Sequence, residues 1–99
     1  NYNILNQMSN KVTKEQLVAL IDNSVIEEHT YHNNKELVIS YLLKDRAEFS
    51  ISSRCAVVDR DNFDIEIGRK LCRDRAIEQL WLLEGYLKQL ELAGVIKFT

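Results

Sequence analysis

The feature that most restricts this chain is a helical pattern from Asp59 to about Leu92, uninterrupted by proline. At 1.5 Å per residue it corresponds to a helix on the order of 50 Å long. Ala76, Leu80, Leu83, Leu87 and Leu90 step by four and three residues in alternation, the spacing of a coiled-coil seam. A second apolar strip, Phe63, Ile67, Ile77 and Trp81, lies well round the cylinder from the first. One sheet cannot cover both, and a helix apolar on two sides is usually sandwiched. The expectation is therefore a homo-oligomer joined through Ala76, Leu80, Leu83, Leu87 and Leu90. The competing reading puts both strips in the core of one chain. Asp59 is the expected helix cap, with Asp61 and Asp64 complementing the positive end of the dipole. Gly94 suits the C-terminal cap, and Val95 to Phe98 is expected to return briefly as a strand. Gly68 and Gly85 read as close-packing sites within the helix.

Upstream, Thr13 and Gln16 form the pattern of a capping box, with Val12 and Leu17 as a hydrophobic staple. Leu17, Leu20 and Ile21 line one face of a short helix that Asp22-Asn23 ends. Val25 to Tyr31 reads as a strand, followed by a turn at Asn33-Asn34. Leu37, Ile39, Tyr41 and Leu43 then alternate with Val38, Ser40 and Leu42. Lys44-Asp45-Arg46 is a plausible tight turn. After it Ala47, Phe49, Ile51, Ser53, Cys55 and Val57 alternate with Glu48, Ser50, Ser52 and Arg54. That is an antiparallel hairpin with one face toward a core and one toward water or a ligand. The expected class is α+β: a short N-terminal helix, a small antiparallel sheet and a long C-terminal amphipathic helix. Met8-Ser9 reads as a natural start, which sets residues 1–7 apart and leaves 8–99 as a single domain.

Composition narrows the function. With 45% hydrophobic and 28% charged residues and no proline, the chain is an ordinary globular one. Its 99 residues are enough for a core without disulfides, but little stability is spare. A formal net charge of −2 argues against nucleic acid as a partner. No apolar run is long enough to span a membrane, and no signal peptide is visible, so a cytoplasmic location is expected. Cys55 and Cys72 fall at positions that read as buried, as free thiols in a reducing compartment do.

Against the acidic background, Gly68-Arg69-Lys70-Leu71-Cys72-Arg73-Asp74-Arg75 holds four cations and one anion. Followed back toward the helix start, the leucine seam gives way to Arg69 and Arg73, one turn apart. Arginine forks match phosphate geometry, and a seam joining two subunits would converge these cations. The alternative is a solvated face pairing with Glu66, Asp74 and Glu78 at helical spacings. His29 and His32 point to opposite faces of a strand, and no paired-cysteine spacing supports a metal. No nucleophile motif or glycine-rich phosphate loop is present. Neither catalysis nor a cofactor is expected.

The stretches Cys55-Ala56-Val57-Val58-Asp59, Asn62-Phe63-Asp64, Glu66-Ile67-Gly68-Arg69-Lys70 and Trp81-Leu82-Leu83-Glu84-Gly85-Tyr86-Leu87 resemble a family of small tailed-phage and prophage proteins. The match runs from Leu37 to about Leu87. The hairpin and helix also resemble the phage anti-Thoeris signal-sequestering proteins, sponges that bind cyclic ADP-ribose signals without cleaving them. Those are homo-oligomers with ligand sites between subunits. That resemblance implies a counter-defence protein of the infected host's cytoplasm that sequesters a cyclic nucleotide. Arg69, Arg73 and Arg54 would meet its phosphates, Phe63 would stack on the base and Asn62 would bond a ribose or base edge. Phe63 also reads as a core residue, and Asn62 as a local backbone partner. The chain departs from relatives at Arg60, where they often carry proline, and at Asp45-Arg46, where they carry glycine. A small module that inhibits a host protein is the alternative function.

Overall fold

A computed structural model describes residues 11–33, 35–56, 61 and 64–97. Helix α1 (Lys14–Asp22) opens with the expected box. The Thr13 amide donates to Gln16 Oε1 at 3.0 Å, and the Gln16 amide donates to Thr13 Oγ1 at 3.3 Å. Two of the amides that a helix start leaves unpaired are thereby satisfied. Val12 packs against the core beside the box, as a staple does.

Three strands follow, β1 (Val25–Tyr31), β2 (Glu36–Leu43) and β3 (Phe49–Ala56), in a sheet of order β1-β2-β3. Both pairings are antiparallel, with Glu28 opposite Ile39 and Ser53 opposite Ile39 on its other side. The turn between β1 and β2 holds His32 and Asn33 in the left-handed region. Between β2 and β3, a single 3-10 turn (Lys44–Arg46) is followed by Ala47 and Glu48 at positive φ. No glycine is present there to carry that conformation, so the turn holds strain that its contacts must offset.

The period of two decides which residues enter the core. Leu37, Ile39, Tyr41 and Leu43 of β2 and Ile51 and Cys55 of β3 point to one buried face. Over that face lie Leu17, Leu20 and Ile21 of α1 and Cys72, Ala76, Ile77 and Leu80 of the long helix α2 (Ile65–Leu92). The opposite face of the sheet stays open, and every residue of β1 is exposed. Phe49, expected on the inner face, is 55% exposed at the start of β3, where the strand leaves the core.

Helix α2 is continuous through both glycines. It begins later than the sequence pattern suggested. Asp64, not Asp59, is its cap, with Oδ1 accepting from the Glu66 amide at 2.9 Å. Ala93 and Gly94 close it. The Gly94 amide bonds the Glu91 carbonyl, and the Val95 amide bonds the Leu90 carbonyl at 2.9 Å. This is a Schellman ending with Gly94 at φ 77°. Residues 95–97 form no strand, a correction to the expected return. The Schellman bonds already turn the chain, and no strand pairs with this segment among the described residues. Gly85 is not a close-packing site, because a Cβ built there meets nothing within 4 Å.

Candidate functional site: the basic half of the long helix

The first half of α2 crosses the sheet from β1 to the free edge of β3, and its cations are distributed by that path. Arg69 faces β1. Its Nε donates to Glu28 Oε1 at 2.5 Å and its Nη2 to Glu28 Oε2 at 3.0 Å, a two-pronged pair. Its remaining nitrogen reaches Glu66, one turn back on the same helix. The fork holds the Glu28 carboxyl below its usual range, chiefly through the hydrogen bond, and raises the already high Arg69 pKa. Arg73, one turn on, meets Asp22 at the end of α1, with Nη2 at 2.8 Å from Oδ1. An acid at a helix C-terminus opposes the local dipole, so this cation relieves a cost as well as joining two helices.

Arg69 and Arg73 are therefore brought together on one side of α2, each holding a carboxylate. Beneath them lies Tyr41, 2% exposed, whose hydroxyl has no hydrogen-bond partner among the described residues. Burial raises its pKa, the Ser53 hydroxyl beside it partly offsets the rise, and the fields of Cys72, Arg73 and Glu28 also reach it. Ser53 next to it donates to the Cys72 carbonyl at 2.7 Å. Tyr41 was legible in the sequence only as one apolar position in an alternating strand. Its orphaned hydroxyl is a property of the packed structure.

Arg54 is not part of this group. It projects from the open face of the sheet, where Nη1 lies 3.3 Å from Glu36 Oε1. Asn62 and Phe63 lie outside the described residues. Lys70 pairs with Asp74 at 3.0 Å, one turn away. Arg75 donates to the Arg54 carbonyl and Gln79 Nε2 to the Ser52 carbonyl at 2.7 Å. Those two side chains cover the free edge of β3, where unpaired carbonyls would otherwise invite another strand. The cationic stretch is thus locally neutralised, and the expected pairs of helical spacing account for part of it.

The seam splits. Ala76 and Leu80 are completely buried within the chain's own core, while Leu83, Leu87 and Leu90 are half-buried further along. Of the second strip, Ile77 is buried, but Ile67 and Trp81 are exposed. Beyond the sheet, a groove of about 460 Å³ opens between the 44–47 turn and α2, lined by Leu43, Phe49, Leu83, Tyr86 and Leu87. At its wall Arg46 and Glu84 form a nearly buried two-pronged pair, 2.9 Å from Nε to Oε2 and 2.6 Å from Nη2 to Oε1. Sequence reasoning missed this pair, whose members stand 38 residues apart.

Both cysteines are buried and free, and burial pushes the Cys72 thiol up. No group of three or more histidine, cysteine or acidic side chains fit to hold a metal occurs among the described residues. No described helix is long and apolar enough to cross a membrane. No curated protein and no solved structure matches the chain. A family model does match residues 12–92, from the staple valine before α1 to the last residue of α2, and the chain belongs to the phage protein (N4 Gp49/phage Sf6 gene 66) family.

Proposed function

We propose that this phage protein acts by binding rather than catalysis, and that its ligand is a cyclic nucleotide signal held through its phosphates. The observation that supports this reading is the pair Arg69 and Arg73. They stand one turn apart on one face, each already gripping an anionic oxygen pair or a single carboxylate. A phosphate presents the same charge and the same fork-matching oxygens as Glu28. Binding then proceeds by exchange: the ligand displaces Glu28 and Asp22, and Tyr41 offers a buried hydroxyl to the displaced position. Asn62 and Phe63 enter this reading through the resemblance alone, and Arg54, on the open face of the sheet beside Glu36, does not join Arg69 and Arg73 at this site. Sequestration of such a signal is a counter-defence act, performed in the cytoplasm of the infected cell, and needs no bond to be broken.

Titration calorimetry with cyclic ADP-ribose isomers and cyclic oligoadenylates tests the reading. Saturable heat from one of them is expected, with the ligand recovered intact by chromatography. Arg73→Glu should abolish that heat. Glu28→Gln, which removes the competing carboxylate, should tighten binding. Absence of heat from every ligand at high protein concentration would overturn the proposal.

The groove beside Phe49 favours a second reading, a module that binds and inhibits a host protein. One stoichiometric host protein retained by the wild type and lost by Tyr86→Glu would support it. Retention of none would remove it.

A further inference from the structure

The two edges of the sheet are finished differently. Along β3, side chains of α2 take up backbone carbonyls: Arg75 donates to that of Arg54, and Gln79 Nε2 to that of Ser52 at 2.7 Å. The other edge is β1, at the end of the order β1-β2-β3. Its seven residues pair with β2 in one unbroken register, from Val25 opposite Leu42 to Tyr31 opposite Glu36, and all seven are exposed. In an antiparallel ladder every second residue turns its amide and carbonyl away from its neighbour, so an edge strand presents a row of them outward. Proline, a bulge or short length commonly blunts such an edge. β1 has none of these, and Val25, Ile26, Thr30 and Tyr31 are strong strand formers.

What limits pairing at this edge is charge, and the charge has one sign. Glu27 and Glu28 stand in mid-strand, and β1 carries no lysine or arginine. Glu28 is held by Arg69, which also reaches Glu66. Glu27 points to the open face opposite Ser40, with its side chain 71% exposed and the His29 ring 3.6 Å away. A second copy of β1 would bring the same two acids with it, and like charges set across a ladder repel. The acids that turn away such a strand attract one of opposite sign. Apolar surface adds a second requirement. Ile26 lies on the core side of the sheet, opposite buried Tyr41, yet is 48% exposed at the edge.

We infer that β1 is a docking edge for an extended basic segment of a partner protein, which adds to the sheet as a fourth strand antiparallel to β1. Backbone bonds along the outward side of β1 supply affinity, and the side chains supply selectivity. On the open face, lysine or arginine of the added strand meets Glu27. On the core side, an apolar side chain covers Ile26. A period of two in the partner, basic then apolar, satisfies both faces at once. The inference stands apart from nucleotide binding through Arg69 and Arg73 and from the groove beside Phe49. A chain that binds nucleotide but no basic strand would refute only this inference, and the reverse result only the proposed function.

The probe is a fluorescent, end-capped peptide, Lys-Val-Lys-Val-Lys-Val-Lys, titrated with the full chain and read by anisotropy. Saturable binding is expected, with slowed hydrogen exchange of alternate β1 amides in nuclear magnetic resonance spectra. Lys-Pro-Lys-Pro-Lys-Pro-Lys carries the same charge but lacks the amides of a ladder, and should bind at least about tenfold more weakly. Glu27→Lys, at an exposed position, should weaken the lysine-valine peptide about fivefold and strengthen its glutamate-valine counterpart. No binding up to millimolar peptide would overturn the proposal. Equal binding of the valine and proline peptides, or binding that leaves β1 exchange unchanged, would reduce it to charge attraction and overturn it too. So would slowing of β1 exchange as protein concentration rises without peptide, since a second copy would then hold the edge.

Discussion

Single residues decide more of this protein's stability and chemistry than their surface positions suggest. Arg46 and Glu84 tie a strained turn to α2 by two hydrogen bonds at 11% and 4% side-chain exposure. Loss of Glu84 removes both of these charge-assisted bonds while Arg46 keeps its bond to the Asp45 carbonyl, and that costs about 1.5–3 kcal/mol. Glu84→Ala should therefore lower the denaturation midpoint sharply, whereas Arg46→Met with Glu84→Leu should recover most of the loss. Equal losses in the single and double variants would mean that the pair is not the source. Glu28 gives a pH signature of definite sign. Its pKa is lowered in the folded state by Arg69, so its contribution is complete above the ordinary carboxylate value near 4.5 and disappears as pH falls below it. Thermal melts from pH 7 to pH 3 should show an acid-side decline that Glu28→Gln flattens. The loss will be small, since the pair is partly solvated.

At the scale of elements, the helix ends follow local rules and the helix middle does not. Gly94 sits at φ 77°, where a side chain is strained, so Gly94→Ala should destabilise by about 1–2 kcal/mol in chemical denaturation. Gly85 is its opposite. It lies inside α2 with open space around the position of a Cβ, and Gly85→Ala should stabilise the dilute chain by about 0.5–1 kcal/mol. If Gly85→Ala were instead destabilising, the surface beside it would be occupied. The sheet treats its two edges differently. Arg75 and Gln79 of α2 cover the carbonyls of β3, whereas β1 relies on its own Glu27, Glu28 and His29 to discourage a further strand.

For the whole molecule, the arrangement is one sheet face covered by two helices and the other face left open. The long helix is longer than the sheet it covers, and its second half extends past β3 with a groove and exposed apolar side chains. Adjacent leucines consequently have different fates. Leu83 packs against the core, so Leu83→Glu should lower stability in denaturant titration. Leu82 is exposed, and Leu82→Glu should leave stability unchanged. Equal destabilisation by both would contradict the packing described.

The sequence by itself determined what short-range physics controls. The Thr13–Gln16 box, the alternation in β2 and β3, the Gly94 ending and the apolar period of α2 are all written within a few residues of where they act. It also showed that α2 is apolar on two sides. Only the tertiary structure decided which side faces the core, because that depends on where the sheet and α1 lie. It likewise moved the helix start from Asp59 to Asp64 and gave the arginines their partners. Arg69 meets Glu28 across 41 residues, a contact that no local pattern encodes. Ile67, Leu71, Leu82 and Tyr86 are left exposed by the same choice, since a helix packed on one sheet can bury only one of its faces.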